Sequence, residues 1–131
     1  MMTKKTKTII FSVTILLIIM LTSIFIENYL KTSTAQLMRY IEISEDYVNS
    51  GDWSKAYNTI SELNDKWEKT ADLWALVVNH HEIDSIEISL KDSTSYIKSK
   101  DKEMALASIS SLKHYVGHIP EIEKASLKNI L

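Results

Sequence analysis

Four histidines, His80, His81, His114 and His118, are the side chains of this chain best suited to metal or proton chemistry. His80 has Asp84 one helical turn later, and His114 and His118 are themselves four residues apart, so each pair shares a helix face. A zinc ion needs three or four ligands converging in tetrahedral geometry, and His80, Asp84, His114 and His118 are the candidate set. The spacing permits such a site without demanding it. Neither pair has the HExxH pattern of a zinc hydrolase, and histidines near a helix end marked by Gly117 are also favoured by the macrodipole. His80 and His81 read equally well as one core-edge and one solvent-facing residue. Zinc or another divalent ion is the single cofactor left open.

Other chemistry is sparsely provided for. The chain has no cysteine nucleophile, no serine in a nucleophile-elbow context, no glycine-rich phosphate loop and no close-set carboxylate pair beside an evident cleft. It reads as non-enzymatic. Trp53, Trp67 and Trp74 lie on one heptad line, and aromatic stripes at this spacing usually bury about 150–250 Å² per ring in a core. Trp67 and Trp74 are expected to be core, whereas Trp53 follows a turn and is the aromatic best placed to meet a protein partner.

The elements that must position these residues begin with an anchor. Ile9 to Ile26 carries no charge and follows Lys4, Lys5 and Lys7. As a helix it spans about 27 Å, close to the hydrocarbon thickness of a bilayer. Its Ile, Leu, Phe and Val residues favour insertion by roughly 4–8 kcal/mol in total. A cleaved signal peptide would have a shorter apolar run and a small-residue cleavage site directly behind it, but Glu27-Asn28-Tyr29-Leu30 follows here. The three leading lysines predict a cytoplasmic N-terminus by the positive-inside rule. The expected organisation is a basic cytoplasmic tail (1–8), a transmembrane signal anchor (9–26) and an extracytoplasmic helical bundle (27–131). Twelve of the fifteen Lys/Arg and all seventeen Asp/Glu lie beyond residue 26, a net charge of −5 that argues against nucleic acid as a partner.

Two glycines and one proline leave little turn chemistry for strands, so the remainder reads as all-α. Leu37, Ile41, Ser44 and Val48 form one stripe, and Ala56, Ile60, Leu63, Trp67, Trp74 and Val77 form another. Ser50-Gly51-Asp52 supplies a C′ glycine and then a capping aspartate, and Ser99-Lys100-Asp101 repeats the arrangement without glycine. A break is expected near Thr70 or Asp72, with one very long helix as the alternative because the heptad runs straight through that point. Gly117 and Pro120 are expected to end one helix and open a short last one. At a constant offset, Asp52, Ala56, Ile60 and Leu63 match Asp101, Ala105, Ile109 and Leu112, and Leu37, Ile41, Tyr47 and Val48 match Ile86, Leu90, Tyr96 and Ile97. Two such hairpins predict an antiparallel four-helix bundle or a short tetratricopeptide-like pair, and in the bundle the two histidine pairs sit at similar heights.

The apolar N-terminal run, Trp67 with Trp74 and Asn79-His80, the segment Ile83-Asp84-Ser85-Ile86-Glu87 and the closing Ser126-Leu127-Lys128-Asn129-Ile130-Leu131 together give the chain a family likeness. It resembles a domain-of-unknown-function family of small, single-pass membrane proteins from Gram-positive bacteria. That resemblance implies location and architecture, and carries over no catalytic or binding residue. The functional expectation is a membrane-anchored module that docks on or regulates another membrane or envelope protein, with self-association compatible. The alternative is an extracytoplasmic sensor that binds a metal or small ligand through its histidine and aromatic groups.

Overall fold

The computed structural model describes residues 1–130, with side chains through Lys124, and places four helices and, among the described residues, no strand: α1 (Lys4–Ser50), α2 (Trp53–Trp74), α3 (His80–Lys98) and α4 (Lys102–Ile130). Helix α1 starts where the Thr3 hydroxyl accepts the Thr6 amide at 3.3 Å. Its Thr14, Thr22 and Ser23 hydroxyls each donate to the carbonyl four residues back at 2.8–2.9 Å, so none of the three needs water as a partner. No residue of its most apolar 18-residue window is buried. Phe11, Leu21 and Phe25 are 67%, 66% and 72% exposed.

The same helix changes character without a break. Beyond Ile26 its buried residues are Leu30, Ser33, Thr34, Leu37, Ile41, Ser44 and Val48, steps of three and four that make a single inward stripe. Nothing in Glu27-Asn28-Tyr29-Leu30 interrupts the helical hydrogen bonding. Helix α1 touches α2 and α4, and α3 touches α2 and α4, so the contacts close into a ring around one shared core. Ile26 and Tyr29 pack against that core.

The two tight turns correspond hydrogen bond by hydrogen bond. Gly51 and Lys100 donate to Val48 and Ile97 at 3.1 Å, and Asp52 and Asp101 donate to Tyr47 and Tyr96 at 2.9 and 3.0 Å. The Asp52 and Asp101 carboxylates accept the Lys55 and Met104 amides, both at 3.2 Å. Each turn thus closes one helix with a Schellman arrangement and caps the next. Burial repeats as well: Ala56 and Ala105, Ile60 and Ile109, and Ser44 and Ser93 are all fully buried.

Two sequence expectations are corrected. Helix α2 continues through Thr70, whose hydroxyl bonds back to the Lys66 carbonyl at 2.9 Å, and ends only at Trp74. The break lies at Ala75–Asn79, where the Asn79 side chain accepts the His81 amide and opens α3. Helix α4 likewise runs unbroken through Gly117 and Pro120. Val116 and Ile119 are buried there, and a Cβ at Gly117 would lie 3.3 Å from the Met38 methyl carbon. Close approach to α1 therefore accounts for this glycine, and packing on either side of it overrides the local tendency of Gly and Pro to end a helix.

The turns differ in one respect. Lys100 adopts a left-handed φ of 59°, where its counterpart Gly51 sits at 75°. A non-glycine residue is penalised there by roughly 1–2 kcal/mol, partly offset by the greater flexibility of glycine in the unfolded chain. Lys100→Gly is expected to raise stability by about 1 kcal/mol, or roughly 4–8 °C in Tm. Gly51→Ala is expected to lower it by a similar amount, since an added Cβ meets nothing within 4 Å and only backbone strain acts. Thermal melts of the two variants check both signs.

Candidate functional site

The inward faces of α3 and α4 are apolar apart from the buried Ser89 and Ser93 of α3. Ile83, Ile86, Leu90 and Ile97 on one, and Ala105, Ile109, Leu112, Val116 and Ile119 on the other, occupy the core. His80, His81, Asp84, His114 and His118 fall between these positions and are exposed. His114 and His118 stack with ring centroids 5.7 Å apart and planes 13° from parallel, and His118 Nδ1 lies 3.7 Å from Glu121 Oε2. His80 stands at the start of α3 behind its Asn79 cap. The structure does not bring the candidate set His80, Asp84, His114 and His118 to one point. Among the described residues no group of three or more His, Cys, Asp or Glu gathers to hold an ion. Since α4 does not end near Gly117, a helix C-terminus does not explain His114 and His118, and His81 is no more buried than His80.

The tryptophans are placed as their spacing suggests. Trp67 and Trp74 are 5% and 0% exposed and meet edge to face, with centroids 5.5 Å apart, while Trp53 is half-buried. The Trp74 indole N–H donates to the Ser33 hydroxyl at 2.9 Å, and Ser33 in turn donates to the Tyr29 carbonyl at 2.8 Å. This buried chain ties the end of α2 to α1 about two turns past Ile26. A second tie is Lys113 to Glu45 at 3.1 Å, linking α4 to α1. Three other buried groups, the Trp67 indole N–H and the Thr34 and Ser44 hydroxyls, have no hydrogen-bond partner among the described residues. The void bordered by Leu37, Ile41, Leu63, Trp67, Ile86 and Leu112 measures about 10 Å³, too small for any ligand.

Polar surface features are shallow. A groove between α2 and α3 is crossed by a 2.9 Å hydrogen bond from Asn64 to Thr94 and edged by Asp65, Lys91 and Lys98. Trp53 borders a second depression with Tyr57 and Ile97, at the far end of the helices from Ile26. Where α3 begins, burial raises the Glu123 carboxyl above the usual carboxylate range, and the nearby Glu82 charge adds to the shift.

The least polar exposed feature outside the N-terminal run is the α2–α3 connection. Leu73 and Leu76 are 53% and 79% exposed, while Trp74 and Val78 between and beside them are buried. Sequence reasoning missed this feature. The signal available for it was Asn79, a capping residue directly after a short apolar run that leaves the heptad line. At the other end of the chain, Lys4, Lys5 and Lys7 form an exposed basic turn ahead of Ile9, and Ile26 marks where the helix first packs on the core.

The model of a domain of unknown function, DUF4363, matches residues 24–130, and the chain belongs to that family. No curated protein and no solved structure matches it.

Ser33 and Ser44 offer a contrast. Ser33→Ala leaves the buried Trp74 N–H without an acceptor and is expected to cost about 1–3 kcal/mol. Ser44→Ala removes a hydroxyl that pairs with nothing and is expected to be neutral or slightly stabilising. Denaturant unfolding followed by tryptophan fluorescence measures both.

Proposed function

We propose that this DUF4363 protein is a single-pass, membrane-anchored helical module that docks on or regulates another membrane or envelope protein and is not an enzyme. In this reading Ile9 to Ile26 is a transmembrane signal anchor, the tail before it is cytoplasmic, and the rest is an extracytoplasmic antiparallel bundle of two hairpins. Its setting is the cell membrane of a Gram-positive bacterium.

The observation that carries the reading is the continuity of α1, in which an apolar surface exposed on every side passes without a joint into the inward stripe of the core. Apolar residues all round a helix suit lipid on all sides, and backbone groups in hydrocarbon must be satisfied within the helix. Lys4, Lys5 and Lys7 support the orientation. The antiparallel arrangement is supported by Trp74 reaching back to Ser33, and by Lys102 and Lys113 meeting Asn49 and Glu45. A domain held this way works at a fixed height. Ser50 stands about 36 Å along the helix from Ile26, which sets the Trp53 depression well clear of the bilayer and within reach of a neighbouring protein.

Two measurements on cells test the proposal. The protein is expected to stay in the membrane pellet after alkaline carbonate extraction, and protease added to intact cells is expected to remove its C-terminal region; release by carbonate or full protection would contradict the anchor or its direction. A photo-crosslinking residue at Trp53 is expected to give a discrete adduct in native membranes. The absence of any adduct from Trp53, Tyr57 and Glu103, including one with a second copy, would contradict docking.

A further inference from the structure

The ends of the helical domain differ in chemistry. At the end far from Ile26 the turns are Ser50-Gly51-Asp52 and Ser99-Lys100-Asp101, all short and polar. At the near end the connection is Leu73-Trp74-Ala75-Leu76-Val77-Val78, whose Leu73 and Leu76 point into open surroundings. Leu76, at 79%, is more exposed than the large apolar side chains of the N-terminal run, among which Phe25 reaches 72%. Two exposed leucines, one in the last turn of α2 and one in the longest of the three connections, set this end apart from the polar turns at the other.

The height of this turn explains it. The Trp74 to Ser33 hydrogen bond fixes the end of α2 at the level of Ser33, about 10 Å along α1 from Ile26. Helix α2 runs toward Ile26, and the turn continues in that direction through the Val77 and Val78 amides, which donate to the Trp74 carbonyl. Leu76 therefore lies about 7 Å from the level of Ile26, and the headgroup layer outside the hydrocarbon is about 5–7 Å deep. A leucine side chain covers the remaining distance. Tyr29, half-buried on the core edge at the same level, is the residue type that favours this layer.

We infer that the α2–α3 turn is a second membrane contact, with Leu73 and Leu76 seated in the headgroup region of the bilayer that holds α1. The inference rests on the anchor proposed above, but not on which side of the membrane the domain occupies. The occupant is the lipid surface itself, because the turn and the apolar run share one rigid helix as their reference and meet the same plane. Two contacts set side by side hold the domain upright against the bilayer, where one helix alone would leave it free to tilt.

The chain has no cysteine, so single probes can be placed cleanly. The full-length Leu76→Cys and Glu103→Cys variants, each carrying a nitrobenzoxadiazole fluorophore, are reconstituted into phosphatidylcholine vesicles with or without lipid spin-labelled high on the acyl chain. The residue-76 probe is expected to emit to the blue of the residue-103 probe and to lose more than half its emission to the spin label, while the residue-103 probe is unaffected. Vesicle flotation of the same samples reports the anchor separately. Flotation with a water-like, unquenched residue-76 probe overturns the second contact and leaves the anchor standing. Flotation with a blue-shifted probe that the spin label does not reach assigns the turn to protein contact and also overturns it. Failure to float overturns the anchor, and the inference with it.

Discussion

Helix α1 carries two different surfaces on one uninterrupted backbone, apolar on every side at first and then with a single inward stripe, and α2 and α4 pack against the second. From Ile9 to Phe25 its side chains project outward in all directions. From Leu30 to Val48 only one stripe is apolar, and that stripe is the wall against which α2 and α4 pack. Because a helix cannot rotate one half against the other without breaking hydrogen bonds, the facing direction of the stripe is fixed relative to the residues before it. The Trp74 to Ser33 bond and the Lys113 to Glu45 pair then fix α2 and α4 to the same rod.

The internal repeat gives this arrangement economy. One hairpin design, with a small Ala just inside the second helix and an aspartate cap at the turn, is used for α1–α2 and again for α3–α4. Fully buried Ala56 and Ala105 let the helices of each hairpin approach closely behind the turn. The copies diverge where their surroundings do. The first begins in the apolar run and carries a glycine at its left-handed position, whereas the second begins at the Asn79 cap and carries Lys100. At the same offset Trp67 corresponds to Val116 and Trp74 to Glu123, so the first copy places the larger apolar side chains toward Ile26.

Much of this was legible in the sequence because it depended on local chemistry. The scarcity of glycine and proline excluded strands, the three- and four-residue spacing from Leu37 to Val48 marked the core stripe, and Ser50-Gly51-Asp52 marked a turn. What was not legible depended on tertiary contact. The true break at Ala75–Asn79 was hidden because Trp67 and Trp74 continue the heptad up to its edge and apolar residues follow. Gly117 and Pro120 read as an ending, yet buried Val116 and Ile119 and the approach of Met38 carry the helix through. The histidines could be placed on helices but not on faces, and the faces they occupy point away from the core. The exposed leucines of the α2–α3 turn gain meaning only from their height relative to Ile26.

In the proposed setting, α1 is expected to remain one straight helix across the bilayer surface. Spin labels at Thr14→Cys and Glu42→Cys, in full-length protein reconstituted into vesicles, report it by pulsed dipolar spectroscopy. Twenty-eight residues of unbroken helix separate these sites by about 42 Å. A narrow distance distribution centred there is expected. A broad distribution, or one centred well below it, would show a joint between Ile26 and Leu30 and contradict the account.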